Sequence, residues 1–342
     1  MPGATLPVLG LFEALGAGEE STYGTGVSMT EWYRLVKWSG GRVDTVEADA
    51  GPSGGGVQLA FERSFKPTPK YAMSASVLLE YTDVGRFLKQ FLGVDTATII
   101  GGGPYYTHTF ALNRVEPTVM NPSLTITRLN NAGKTVYNGC VLKSLTISGG
   151  PNRIATVDFD FTAQSGGTSY VGGSVGTFST APFAEFVDMK LLWHDTPATV
   201  SPTAQVGAAS TGEWSVKFTV DLAERELSGS RFNREPVWNG YRNAEISVAR
   251  EFADQNMITS IMQLTTALAY DTVSVSLASA VGSYALSMYS PYATLITRTQ
   301  DHGGAMGVEP ENLTWRAGMQ LAGGATEHPM TLTLINQRTT AY

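Results

Sequence analysis

The sequence contains one cysteine, few charged residues and no long apolar run. Cys140 alone cannot form a disulfide within the chain, so nothing requires an oxidising compartment, and we expect it as a small core residue. No stretch approaches the ~18 consecutive apolar residues of a membrane-spanning helix. Residues 1–21 lack the basic region and the apolar run of a secretion signal. These absences predict a protein that depends on neither a membrane nor disulfides.

Charged residues are scarce, and the net charge of the chain is negative. Charged residues make up 15% of the chain, and 23 Lys and Arg stand against 30 Asp and Glu, for a net charge of −7. No basic run exists, and Arg225, Arg231 and Arg234 lie among acidic neighbours. Because affinity for nucleic acid depends on Lys and Arg, tight binding of DNA or RNA is not expected. The 42% of hydrophobic residues predict a buried core.

Two segments follow the same strand, Gly-Gly turn, strand pattern. They are NGCVLKSLTISGGPNRIATVDFDFTAQ, residues 138–164, and NLTWRAGMQLAGGATEHPMTLTLINQ, residues 312–337. Aligning Gly149 with Gly323 places alternating apolar positions in register, as period-2 strands require. The sequence therefore predicts two equivalent hairpins in two halves of one chain.

The elements upstream of the hairpins also repeat. The strand SASVLLEY and the helix TDVGRFLKQFLG are matched in order by NAEISVAREF and ADQNMITSIMQL. Two strands follow each helix, and the amphipathic strand VQLAFERSF is matched by EWSVKFTVDL. We predict a duplicated, mainly β fold with one helix per repeat, each repeat a β-sandwich or split barrel. The expected domains are residues 1–168 and 183–342, joined by a Gly/Ser-rich linker, 169–182.

The sequence matches catalytic motifs only incompletely or in the wrong structural context. NAGKT, residues 131–135, lacks the first glycine of a phosphate-binding loop, and Ser174 in GGSVG lies in linker sequence rather than at a strand-to-helix elbow. The four histidines show no metal-ligand spacing. Asp158 and Asp160 share one strand face and are capable of holding a cation or exchanging protons, but that face is expected to be exposed to water. We therefore expect no enzyme, no cofactor and no metal.

Three segments resemble the tail tube proteins of long-tailed bacteriophages, in particular the subfamily with two tube domains in tandem. They are GEESTYGTG (18–26), SVLLEYTDVGRFLKQFLG and the NGCVLKSLTISGG…TVDFDFTA hairpin. The resemblance covers nearly the whole chain, although the second half departs from it in residues 221–243. It implies a non-enzymatic virion protein, assembled in the host cytoplasm, whose inner sheets join in an intersubunit β-barrel.

The resemblance implies homotrimeric, pseudo-hexameric rings that stack into a tube around a channel. The implied partners are further copies of the chain, the tape-measure protein, the tail terminator and tail-tip proteins, and DNA in transit without tight binding. A channel wall rich in Ser, Thr and Asp and poor in Lys and Arg allows DNA to slide. The candidate lumen-facing residues are Thr156, Asp158, Asp160, Thr331 and Thr333.

Two long segments without a clear period, 38–56 and 221–243, are expected to reach the neighbouring ring. The candidate inter-ring residues are Arg42, Asp44, Glu47, Asp49, Arg231 and Arg234. Two other functions remain open from the sequence. One is a different phage β-structural module, such as a baseplate, adhesin or capsid-decoration protein, and the other is a β-rich carbohydrate-active enzyme.

Overall fold

The structure is a computed structural model. It describes residues 13–43, 47–48, 64–65, 69–93, 95–100, 102–112, 121–130, 133–169, 175–194, 211–225, 234–251, 271–300, 310–318 and 328–342.

Within these residues the chain is mainly β, as the sequence predicts, with one α-helix, α1 (Gly85–Leu92), and a 3-10 helix, Phe186–Asp188. The strands are β1 (Ala14–Glu19), β2 (Glu31–Val43), β3 (Glu47–Ala48), β4 (Ser64–Phe65), β5 (Lys70–Leu78), β6 (Thr96–Ile99), β7 (Tyr106–Ala111), β8 (Leu124–Asn130), β9 (Gly133–Gly149), β10 (Thr156–Ala163), β11 (Ser165–Ser169), β12 (Met189–His194), β13 (Thr211–Thr219), β14 (Leu222–Arg225), β15 (Arg234–Trp238), β16 (Asn243–Glu251), β17 (Asp271–Ala278), β18 (Ala285–Gln300), β19 (Pro310–Gly318) and β20 (Thr331–Asn336).

Helix α1 begins and ends near the predicted positions. Phe87, Leu88 and Phe91 are buried on its apolar side, where Phe87 stacks on Phe159 with ring centroids 4.5 Å apart. The helix ends at Gly93, whose φ of 106° is accessible to glycine and whose N–H donates to the carbonyl of Lys89 at 2.8 Å. The predicted second helix, 253–264, lies outside the part of the chain that the structure describes.

The first half is a closed antiparallel barrel of six strands in the order β10, β5, β2, β1, β8, β9, with β9 returning to β10. Two long strands bend so that each serves both sides of the barrel. Strand β2 pairs with β1 through 31–34 and with β5 through 35–43, and β9 likewise divides its length between β8 and β10. The mainly β fold is thus confirmed, and the first half is a closed barrel where the sequence predicted a β-sandwich or split barrel.

The second half repeats this strand order. Its strands follow the path β12, β17, β18, β19, β16, β13, which corresponds position by position to β1, β8, β9, β10, β5, β2. Strands β19 and β20 pair with successive parts of one edge of β18. In the same way, β10 and β11 pair with successive parts of one edge of β9. Among the described residues, β12 does not pair with β13, so the second path is not closed there.

The pairing corrects the predicted second hairpin. Strands β19 and β20 exist, but they pair with β18 and not with each other. The hairpin equivalent to β9–β10 is β18–β19, and the sequence between those strands contains its own glycine pair, Gly303-Gly304. A Gly-Gly pair marks a turn but does not specify which strands it joins, so aligning the wrong pair shifted the repeat by one strand.

A second correction concerns the strand equivalent to EWSVKFTVDL. Trp214 of β13 lies opposite Val248, which in turn lies opposite Leu313. Trp38 of β2 lies opposite Ala75, which lies opposite Phe159. In the shared strand order β13 occupies the position of β2 and not that of residues 57–65, most of which lie outside the described residues.

Candidate functional site: the joined sheet and its edges

The two halves share one continuous sheet because β13 pairs with β9 from Trp214–Gly149 to Thr219–Ser144. The shared sheet runs β2, β5, β10, β9, β13, β16, β19, β18, with four strands from each half. On one face, Val77, Val157, Ile147, Val216 and Ile246 form a row from strand to strand, and all five are at most 1% exposed. This face belongs to the core, so the opposite face is the one available to solvent or partners.

The opposite face is polar and carries charges of both signs. A single row across all eight strands contains Lys37, Ser76, Asp158, Thr146, Lys217, Glu245, Arg316 and Thr294. Arg316 and Glu245 form an ion pair at 3.0 Å, and Ser144 donates a hydrogen bond to Asp160 at 2.7 Å. The face is rich in Ser, Thr and Asp as expected, but three basic side chains balance its carboxylates.

Two depressions lie on this polar face. One, of about 310 Å³, is lined by Lys37, Ser74, Asp158, Asp160 and Lys217. The other, of about 360 Å³, lies at the end of the sheet near the β9–β10 turn and includes Arg153, Ile154, Glu213, Ser215 and Asn312. Exposed ion pairs of the kind that line them contribute little to stability, typically 0.2–1 kcal/mol. The face is therefore better suited to contact than to holding the fold together.

The structure brings together three of the five candidate lumen-facing residues. Thr156, Asp158 and Asp160 alternate on β10 with buried Val157 and Phe159, so they point to the polar face. Thr331 and Thr333 lie instead on β20, opposite Ala111 and Thr109 of β7. Strand β20 pairs with β18 and β7 and, among the described residues, not with β10 or its partners β5 and β9, so these two threonines are not cross-strand neighbours of the β10 residues.

The sequence reasoning missed the basic residues of this face. Lys37, Lys217 and Arg316 stand singly in three separate strands, and each lies next to apolar neighbours in sequence. Alternation places each on the polar side of its own strand. Only the register of the pairing shows that Lys37, Lys217 and Arg316 fall in one row with Asp158 and Glu245.

Each predicted inter-ring segment contributes to a short two-stranded pair, although β4 lies beyond the end of the first segment at residue 56. β3 pairs with β4, and β14 pairs with β15, at equivalent places after β2 and β13. Arg42 is exposed near the end of β2, Arg234 is exposed at the start of β15, and Glu47 begins β3. Asp44, Asp49 and Arg231 lie outside the described residues.

Both outer edges of the shared sheet are open in the described chain. No described strand pairs with the free edge of β2 between residues 36 and 41 or with that of β18 between residues 294 and 299. Each edge exposes an apolar side chain at a β-bulge, Val36 at 57% and Ile296 at 41%. Unpaired N–H and C=O groups beside an apolar side chain favour pairing with another chain.

A third feature is a network of charges where the two halves meet. Arg86 of α1 donates to both carboxylate oxygens of Glu31, at 2.6 and 2.7 Å, and to Glu19 at 2.7 Å. Burial opposes ionisation of Glu31, but hydrogen bonds from Arg86 and Arg338 outweigh it and lower its pKa. Burial, then the charges of Glu80 and Glu31, raise the pKa of Asp83 to about 7.

Residues 336–342, here called the strap, bring the second half into this network. Arg338 donates to Glu31 at 2.7 Å, and the amide of Tyr342 donates to Asp95 at 2.8 Å. The Tyr342 hydroxyl also contacts the carbonyl of Thr82 and accepts a hydrogen bond from Asn336. Tyr342 is only 3% exposed and its ring lies against Gly85, where a larger residue has no room.

Two other contacts fix the halves to each other. Strand β7 of the first half pairs with β20 of the second along six residues. Arg242, which is buried, stacks on Trp238 and donates to the carbonyls of Phe91 and Leu92 at 2.7 and 3.1 Å. Arg242 thus supplies donors to helix carbonyls that have no partner within the helix.

Comparison with known proteins adds no identification. No protein-family model matches the chain, and no curated protein matches it. Among the described residues there is no group of three or more His, Cys, Asp or Glu placed to hold a metal ion. In the same part of the chain, no helix is both long and apolar enough to cross a membrane.

Proposed function

We propose that this chain is the structural subunit of a phage tail tube, which forms trimeric, pseudo-hexameric rings that stack around a DNA-conducting channel. The observation that carries the proposal is the β9–β13 seam. It joins two sheets of equivalent topology edge to edge, so one seam of a repeating assembly is already present inside the chain.

The open edges are the counterparts of that seam. Strand β18 is equivalent to β9, and β2 is equivalent to β13, yet in one chain they lie at opposite ends of the eight-strand sheet. Pairing β18 of one copy with β2 of the next repeats the β9–β13 arrangement. Since the contact is head-to-tail, it generates a ring if the rotation closes.

Three chains contribute twenty-four strands to such a ring. With strands ~4.8 Å apart and tilted by ~40°, the barrel would be roughly 50 Å across between backbones. With the polar face inward, the balanced charges of Lys37, Asp158, Lys217, Glu245 and Arg316 would line the channel. A wall of mixed charge that does not present a net positive surface gives no strong grip on phosphates.

On this proposal the channel would also enclose the tape-measure protein, and tail terminator and tail-tip proteins would cap the tube. The loops β3–β4 and β14–β15 are proposed to contact the adjacent ring. Assembly in the host cytoplasm and residence in the virion tail follow from the same function. The resemblance of the sequence and the repeated topology support this reading together.

The test is to place a charge at each open edge. We expect purified full-length protein to form rings and tubes by negative-stain microscopy, whereas Val36→Lys and Ile296→Lys should remain monomeric by light scattering. Val281→Lys is the matched control, because Val281 is 69% exposed in the β17–β18 turn, away from both edges. Rings of normal size from both edge variants, or a wild-type chain that stays monomeric at high concentration, would refute the proposal.

A further inference from the structure

Tyr241 projects from one end of the shared sheet. It is 77% exposed and lies two residues before the first residue of β16. Its neighbours are held in place, since Arg242 is buried against α1 and the amide of Asn239 donates to the carbonyl of Asp221 at 2.8 Å. An aromatic side chain presented by anchored neighbours loses little conformational freedom when it binds.

The depression of about 360 Å³ lies at the other end of the same strands. On β16 it is lined by Ser247 to Ala249, so Tyr241 and the depression are separated by most of the strand length. On β13 it is lined by Glu213 to Ser215, at the start of that strand. One end of the sheet therefore carries a projecting ring and the opposite end a recess.

The recess has the chemistry to hold a phenol. Ile154, 36% exposed, supplies an apolar surface. Arg153, which forms an ion pair with Glu213 at the rim, supplies a guanidinium able to stack on an aromatic face. Ser215 and Asn312 supply hydrogen-bonding groups for a hydroxyl. Val187, which is 82% exposed, lies two residues after Glu185, and Glu185 forms a β-bridge with Ile154.

We propose that Tyr241 of one copy inserts into this recess, at the end of the polar face, of a copy in the next ring, as one axial contact of the tube beside the β3–β4 and β14–β15 loops. The inference rests on the proposed function and adds to it a defined stacking contact. The occupant is a second copy of this chain, because projection and recess lie at opposite ends of the same strands. A contact between two different surfaces of identical subunits that does not close on itself propagates as a filament.

The experiment compares Tyr241→Ser and Tyr241→Phe with wild type in full-length protein. We expect Tyr241→Ser to form rings but to raise the critical concentration for sedimenting tubes at least ~10-fold, as loss of an aromatic hot spot does. Tyr241→Phe should lie between the two, because it keeps the ring and loses the hydroxyl. Val281→Ser, an exposed apolar residue in a turn outside both surfaces, is the control and should polymerise as wild type.

The recess is tested from the other side with Ile154→Ser, alone and combined with Tyr241→Ser. We expect the double variant to be no worse than the more affected single variant, because both remove the same contact. With oxidised glutathione added as the oxidant, a Tyr241→Cys, Asn312→Cys protein should form intermolecular disulfides in tubes but not in isolated rings. Normal tubes from Tyr241→Ser, or additive effects in the double variant, would overturn the stacking contact alone. Wild-type protein that forms no rings would overturn the proposed function as well.

Discussion

The two halves share one strand order but complete it differently. In the first half β1 pairs with β2 and closes the barrel, whereas in the second half no described pairing joins β12 to β13. Strand β7 pairs with the outer edge of β20. The counterpart of β20 in the first half, β11, pairs with β9 on one edge, and no described strand pairs with its other edge. An edge of the second half is therefore completed by a strand from the first half.

The dependence also runs in the opposite direction. The strap and Arg242 come from the second half but pack on α1 and its flanking turns in the first half. The first half has 45 residues between β5 and β8, residues 79–123, and the second has 19 between β16 and β17, residues 252–270. The longer connection of the first half carries β6 and β7, and β7 forms part of the joint between the halves.

Removing the strap's aromatic anchor is the strongest way to test this mutual dependence. Tyr342→Ala should lower the free energy of unfolding by about 3–5 kcal/mol, the usual cost of deleting a buried aromatic side chain. Urea unfolding followed by circular dichroism measures it. Tyr241→Ala, a tyrosine that is 77% exposed, is the control and should change stability by less than ~0.5 kcal/mol. Equal effects of the two variants would mean that the strap does not support the first half.

Arg242 forms the contact between the two halves at the C-terminal end of α1, and its substitution tests that contact. Arg242→Ala should cost about 2–3 kcal/mol, because two helix carbonyls lose charge-assisted hydrogen bonds in a buried place. Hydrogen exchange of the Gly93 amide, bonded to Lys89 at the end of α1, should accelerate. Lys217→Ala, at an exposed position, should leave both measurements unchanged. Unchanged exchange at Gly93 in Arg242→Ala would show that α1 does not need the second half.

Asp83 gives the smallest effect, and it depends on pH. Because burial raises its pKa from 3.8 to about 7, the folded state resists ionisation that the unfolded state permits. The contribution of Asp83 to wild-type stability should therefore fall as pH rises from about 4 to 7 and stay level above that. Asp83→Asn removes this penalty and should stabilise the protein by about 1–2 kcal/mol at pH 8, given 1.36 kcal/mol per pKa unit and partial hydration.

Thermal unfolding of both proteins between pH 3.5 and 8 measures the Asp83 effect. Below pH 4 the two should unfold at the same temperature, since the carboxyl is then protonated in both states. A variant that is less stable than wild type at pH 8 would show that the Asp83 carboxylate attracts Arg34 and Arg338 more strongly than Glu31 and Glu80 repel it.

The sequence predicted what short-range patterns determine. Alternation in TVDFDFTA gave the two faces of β10, and the spacing of Phe87, Leu88 and Phe91 with Gly93 gave α1. Pairing was predicted only where one turn joins adjacent strands, as in β9–β10. Strands β19 and β20 both pair with β18, which a sequence read locally cannot show, because β18 is long enough to bend and take two partners on one edge.

The same limit applies to the candidate surface. Asp158 and Asp160 were placed on the correct side of β10, but Thr331 and Thr333 were grouped with them through the misaligned hairpin. The row from Lys37 to Arg316 depends on six successive registers, most of them between strands distant in sequence. A one-residue slip in any of them would move its residues to the core face.

The β9–β13 seam changes how a ring would close. Because the backbone tethers the two strands, that junction forms within a molecule, where linked partners meet at effective concentrations in the millimolar range. A ring of six equivalent units would then need two bimolecular associations instead of five, because the contact that closes the ring is intramolecular. Fusing two units in one polypeptide thereby shifts more than half of the loss of translational entropy from association into folding, which makes closure less sensitive to dilution.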